Sequence, residues 1–184
     1  MKDIAFITGN QNKADFMAKW LGMPIPHEKL DLDELQSLDL HEIVEHKAKQ
    51  AYEKLAKPVL VEDVAFTIHA LGRLPGPFIK WFLEELGTEQ ICNLIPKDSD
   101  RSATSAVCFC YFDGTEPKFF DGHLNGVLAA SPRGERGFGF DPLFIPRGSE
   151  KTHAEMDDGE VAQYGLRTTT VFPQLREFLR SLDK

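Results

Sequence analysis

Three groups of residues in this chain have types and spacings that could do chemistry. Thr8-Gly9-Asn10-Gln11-Asn12-Lys13 follows a short apolar run and opens a helical pattern. A turn entering a helix N-terminus turns free backbone N–H groups and the positive end of the helix dipole toward an anion. Gly9 would let the backbone come close, and Lys13 would add a positive point charge, so the segment could cradle phosphates. The same residues also suit a plain helix cap, with Asn10 or Asn12 beside a surface lysine. The segment lacks the Gly-x-x-x-x-Gly-Lys-Ser/Thr spacing of a Walker A loop.

The second group is acidic: Glu42, Glu45, Glu62 and Asp63. Magnesium prefers oxygen ligands and is commonly held by one or two carboxylates together with substrate phosphates. Glu42 and Glu45, three apart, can share a helix face, where a merely solvated pair is the ordinary outcome. Glu62-Asp63 follows three aliphatic residues, a place where carboxylates are costly to desolvate unless they have work to do. The third group is Phe138-Gly139-Phe140-Asp141. A ring there could stack on a base with a carboxylate at the base edge, although two phenylalanines around a glycine also suit a core.

The elements that must position these groups follow from the apolar spacing. Ile4 to Ile7 reads as a buried strand, and Ala14, Phe16, Met17, Trp20 and Leu21 set a helix over 12–21. The stretch from Met23 to Leu30, with Pro24 and Pro26, allows an edge strand at best, and 31–39 is an acidic loop or short turn. A helix over 41–55 stops before Pro58, and Val59-Leu60-Val61 then forms a strand expected to deliver Glu62-Asp63 at its C-terminal end. After a Gly/Pro-rich loop over 71–77, helices are expected over 78–86 and 88–95. The alternating stretches 102–112 and 118–127, separated by Asp113-Gly114, form an antiparallel pair. A short strand at 143–145 and a last helix within 169–182, its start restricted by Pro173, complete the chain.

With 184 residues, 42% of them hydrophobic, the chain suits a single domain over 1–184. Its formal net charge of −8 argues against nucleic acid as a partner, since such binding requires a basic surface. No apolar stretch approaches a membrane span, and no signal peptide is evident. Three cysteines, Cys108 and Cys110 two apart on one expected strand face and Cys92 alone, suit reduced core thiols and a cytoplasmic setting.

Taken in order, the segments Phe6 to Lys13, Pro58 to Asp63, Ala70 to Leu83, Phe138 to Pro142 and Thr152 to Met156 resemble the inosine triphosphate pyrophosphatase family, hydrolases of deaminated purine nucleotides. The Leu-Gly-x-Leu-Pro-Gly-Pro-x-Ile-Lys-Trp-Phe stretch beginning at Leu71 is especially close to the family's eukaryotic-type members. The resemblance implies an α/β fold: a long curved mixed sheet flanked by helices, with two lobes, an active-site cleft between them holding one nucleotide, and a homodimer. It implies Mg2+-dependent cleavage of a nucleoside triphosphate to the monophosphate and pyrophosphate, with Mn2+ as a substitute cation.

By position, Thr8, Gly9, Asn10, Asn12, Lys13 and Lys47 would bind phosphates, and Glu42 and Asp63 the metal. Glu62 and Asp63 would orient or deprotonate the attacking water. Phe138, Gly139, Phe140, Asp141 and Arg167 would hold the base. One segment departs from the family pattern, which carries a lysine and then Ser-His-Arg after Ala-Glu-Met. Val161 stands opposite that lysine and Gly165-Leu166-Arg167 opposite Ser-His-Arg, so only Arg167 matches. Three readings follow: a hydrolase of inosine, deoxyinosine or xanthosine triphosphate, a pyrophosphatase for another modified nucleotide, or a catalytically silent nucleotide-binding module. His153 reads as a positioning or structural residue, and Tyr164 as a neighbour of the base.

Overall fold

Hydrophobic alternation and helical spacing give a mixed seven-stranded sheet with helices in the computed structural model, which describes residues 4–23 and 25–182. Pro24, used above to limit the edge strand, lies outside the described residues. The strands are β1 (Ala5–Ile7), β2 (His27–Glu28), β3 (Val59–Ile68), β4 (Pro75–Gly76), β5 (Ser102–Phe112), β6 (Lys118–Leu128) and β7 (Phe144–Pro146). Their order is β2-β1-β3-β5-β6-β7, with β4 paired to β3. β1 runs parallel to both β2 and β3, while β4 is antiparallel to β3 and β7 to β6. The helices are α1 (Gln11–Leu21), α2 (Leu40–Leu55), α3 (Ile79–Asn93), α4 (Asp158–Tyr164) and α5 (Phe172–Ser181).

The chain divides into two units. The first comprises residues up to Asp63, Val107–Gly122 and those from Thr170 on; the second comprises Val64–Ala106 and His123–Thr169. In the first unit, strand alternation sends Ala5, Ile7, Val59, Val61, Cys108 and Cys110 to one side, against Val44, Ala48 and Ala51 of α2. Burial raises both thiols, that of Cys110 up to about 12, so the pair behaves as small core residues. The opposite alternation brings Phe6 onto Phe109, with Phe172 of α5 between Phe109 and Phe16 of α1.

In the second unit, Phe66, Ile68, Ile79, Ile91, Leu128, Phe140, Leu143 and Phe144 form the core. The two expected helices after Pro77 appear as two pieces of α3 that meet at Gly87, whose φ of 73° breaks the helical path. Sequence spacing did not mark α4. Its signal is the capping box Asp157-x-x-Glu160, in which each side chain accepts the other residue's backbone N–H, at 2.9 and 3.0 Å.

Arg101 serves the second unit as a polar anchor. Its guanidinium donates to the carbonyls of Leu128 (3.0 Å), Cys92 (3.0 Å), Ala129 (2.6 Å) and Ile95. The planar fork thereby joins the end of α3 to the end of β6. A lysine cannot reproduce that geometry. Arg101→Lys is expected to lower unfolding stability by about 2 kcal/mol, the cost of leaving partly buried carbonyls unpaired, and urea denaturation would measure it. An unchanged midpoint would mean that the carbonyls find other donors.

Candidate active site

The register of the first unit explains why the Thr8–Lys13 segment and the acidic pair meet. Ile7, the last residue of β1, pairs with Val61, so the chain leaves β1 at Thr8 beside the point where β3 continues as Glu62 and Asp63. The expectation that Glu62-Asp63 ends its strand is corrected here: β3 runs on to Ile68, and the acids lie within it. Val64, Ala65, Phe66 and Ile68 keep the apolar pattern going beyond them. What ends beside the two acids is β1, and β3 outruns it.

Because side chains alternate along a strand, Glu62 and Asp63 point to opposite faces. A lysine from a helix meets each of them. Lys47 of α2 donates to Asp63 Oδ2 at 2.7 Å, with both side chains about one-fifth exposed. Lys13 of α1 lies 3.3 Å from Glu62 Oε1, and the glutamate side chain is only 2% exposed. The carboxylates tolerate their position because each has a cation within reach.

Asn10 caps α1, its side chain accepting from Lys13 N at 3.3 Å, and Thr8 Oγ1 accepts from Asn10 N at 3.1 Å. The helix cap and the segment expected to cradle phosphates are thus the same structure. The N–H groups of Gln11 and Asn12 in the first turn have no acceptor within the helix. At Gly9 an added Cβ would make only ordinary contact, 3.6 Å, with the side chain of Lys29. The fold itself therefore tolerates a side chain there, and close approach by a ligand is a separate demand. Lys29 is a basic neighbour of the loop that sequence reading did not select. Its signal is the pairing of Ile7 with Glu28, which brings the next residue of each strand alongside.

Glu42 sits in the first turn of α2, exposed, where its Oε2 accepts from Ser37 Oγ at 2.6 Å. Its partner Glu45 holds Lys49 one turn on, a solvated pair.

The residues expected at the base lie in the second unit. Phe138 is half-buried, and the Arg167 guanidinium sits over its ring at 5.4 Å. Asp141 turns back into its own loop: Oδ2 accepts from Phe138 N at 2.8 Å, and Oδ1 lies 3.7 Å from His153 Nδ1. Gly137, at φ 74°, must be glycine for this turn, since a Cβ would come within 2.2 Å of Asp141 Oδ2. Gly139 also takes a positive φ, 64°, and is exposed.

Phe140 is placed differently from Phe138. Its ring is buried in the core and stacked on Phe66, with centroids 4.9 Å apart. His153 Nε2 lies 3.0 Å from the carbonyl of Tyr164, so the histidine ties Asp141 to the end of α4, in keeping with a positioning residue. Leu166 is buried at 5% exposure, and Val161 lies on α4 with its carbonyl accepting from Gly165 N and Thr168 Oγ1.

A family model described as Ham1 family matches residues 4–177. The chain belongs to the Ham1 family. It is 40% identical over 161 residues to the inosine triphosphate pyrophosphatase of Batrachochytrium dendrobatidis, covering 85% of this chain and 84% of that one. It is 37% identical over 171 residues to the dITP/XTP pyrophosphatase of Methanopyrus kandleri, covering 90% of each. Among solved structures, a Ham1 protein from Coxiella burnetii superposes with a TM-score of 0.83 at 26% identity, covering 98% of this chain and 100% of that one. The Staphylococcus aureus Ham1 protein gives 0.80 at 25%, covering 97% and 98%. As a member of this family the chain is a nucleoside triphosphate pyrophosphatase, and the mixed sheet flanked by helices is the family's fold.

Proposed function

We propose that this Ham1 member hydrolyses inosine, deoxyinosine or xanthosine triphosphate to the monophosphate and pyrophosphate, using a divalent cation, Mg2+ with Mn2+ as substitute. The observation that carries this reading is the crossed set at β3: two carboxylates on opposite faces, each held by a lysine, beside a capped helix N-terminus. Lys13 and Lys47 bind the triphosphate oxygens, together with backbone from Thr8 to Asn12. An arriving triphosphate competes for both ammonium groups and releases Glu62 and Asp63 from them. The freed Glu62 or Asp63 carboxylate then orients a water and accepts its proton.

The donor set suits a hard cation: Asp63 is partly exposed and Glu42 exposed, both are oxygen ligands, and substrate and water would complete the sphere. Such an ion would supply charge neutralisation at the phosphates and help activate the attacking water. Arg167 and Phe138 hold the base, with Asp141 fixing the loop that carries Phe138. Relatives named for inosine triphosphate and for dITP/XTP support the substrate class.

Two further points belong to the same reading. Leu74, Trp81, Leu94 and Val127, each at least 40% exposed, offer apolar surface for a homodimer. Three free, buried cysteines agree with a reducing cytoplasm, and among the described residues no helix is long and apolar enough to cross a membrane.

A second reading keeps the chemistry and changes the base. Leu166 and Val161 stand where the family pattern carries a histidine and a lysine, and the aliphatic side chain of Leu166, buried in the structure, offers no polar donor at that position. Pyrophosphate release with Mg2+ across natural, deaminated and otherwise modified nucleoside triphosphates separates the two. Fast turnover of inosine and xanthosine triphosphates over adenosine and guanosine triphosphates is expected. A different modified base turned over fastest would establish the second reading, and no release from any triphosphate would sink both.

A further inference from the structure

His41, Cys108 and Asp121 offer an imidazole nitrogen, a thiol sulfur and a carboxylate oxygen that all lie within 4.8 Å of one another. All three belong to the first unit, and the pyrophosphatase chemistry uses none of them. His41 Nε2 lies 2.8 and 2.9 Å from the two oxygens of Asp121, while the thiol of Cys108 is buried beneath the pair and borders the same carboxylate. Each donor is held from behind. The His41 ring stacks flat on Phe119, centroids 4.2 Å apart and planes 5° apart, and its backbone N–H is fixed by Asp39 Oδ1 at 2.9 Å. Gln174 donates to the backbone carbonyl of Asp121 at 3.0 Å. Cys108 is fixed by its place in the core of β5.

The geometry points to a second cation site, formed by His41, Cys108 and Asp121 and taking a zinc-class transition-metal ion. The softness of the donors sets the class: sulfur and imidazole favour zinc and its neighbours, whereas magnesium requires oxygen ligands. Three protein donors leave a fourth tetrahedral position to water. The side chains of His41 and Asp121 are 46% and 56% exposed, which opens a route from solvent to the buried sulfur. On binding, the ion displaces the thiol proton to solvent, the imidazole proton resides on Nδ1, and the Asp121 carboxylate exchanges its hydrogen bond for the metal. The bound ion would pin the first turn of α2 to β5 and β6.

Co2+ titrated into chelator-treated full-length protein tests this directly, because a cobalt–thiolate bond gives a charge-transfer absorption band that carboxylate ligation at Glu42 and Asp63 cannot give. One ion per chain should bind with that band, excess Mg2+ should leave it in place, and Zn2+ should bleach it. Cys108→Ser and the surface variant His41→Gln should each lose the band, with far-ultraviolet circular dichroism confirming the fold, while Cys110→Ser should retain it. Absence of the band from the unmodified protein, or its survival in either Cys108→Ser or folded His41→Gln, would overturn the site and leave the pyrophosphatase reading untouched.

Discussion

Asp63→Asn is expected to reduce pyrophosphate release by about 10²–10⁴-fold, the usual contribution of a positioned carboxylate in proton transfer, with little change in the unfolding midpoint. The amide has the same shape and still offers Lys47 an oxygen to accept its hydrogen bond, so α2 stays docked on β3. Lys47 and Asp63 are both partly exposed, and an ion pair in that setting contributes on the order of 1 kcal/mol or less. What the substitution removes is the negative charge needed to hold a cation or take a proton. Single-turnover release of pyrophosphate and nucleotide binding by calorimetry would be measured together. Retained binding with lost turnover is the expected pair of results. Normal turnover in the folded variant would rule Asp63 out of the chemistry and leave Glu62 to carry it.

The strand end and capped helix of the Thr8–Lys13 segment were legible because their determinants are local. A strand that ends at Thr8-Gly9-Asn10, a capped helix and a lysine one turn in are all encoded within a dozen consecutive residues. The acidic pair was legible for a different reason: carboxylates directly after Val59-Leu60-Val61 conflict with burial unless something compensates. Hidden from the sequence were the compensating partners, Lys13 for Glu62 and Lys47 for Asp63, since strand register and helix docking decide which lysine reaches which acid. For the same reason β3 was read too short. Its length depends on pairing with neighbours such as β4, to which Phe66 and Thr67 are matched, and periodicity within the strand does not show that pairing.

Non-local geometry likewise conceals Arg101, whose four carbonyl partners come from two separate stretches of chain, 92–95 and 128–129. It also conceals the His41–Cys108–Asp121 cluster: Cys108 and Asp121 lie on the neighbouring strands β5 and β6, and His41, far off in sequence, joins them only when α2 packs beside those strands. Nothing in the spacing of Cys108 and Cys110 marks Cys108 as the thiol that joins His41 and Asp121. Burial explains both cysteines equally well from sequence, and only the position of Asp121 separates them.

Phe138 and Phe140 provide the sharpest contrast between pattern and packing, because two identical side chains around one glycine look interchangeable in sequence. Phe140→Ala is expected to cost about 3–5 kcal/mol of stability, the range for deleting a buried phenylalanine, since its ring fills the core against Phe66. Phe138→Ala should change stability by about 1 kcal/mol or less and raise KM roughly tenfold, the equivalent of one base–aromatic stack, with kcat nearly constant. The separation follows from placement: the Phe138 ring is half exposed under Arg167, whereas that of Phe140 is enclosed. Urea denaturation and steady-state pyrophosphate release on the two purified variants would resolve it. A large rise in KM for Phe140→Ala in a fully folded protein, with no change for Phe138→Ala, would reverse the assignment and move the base to the core side of the loop.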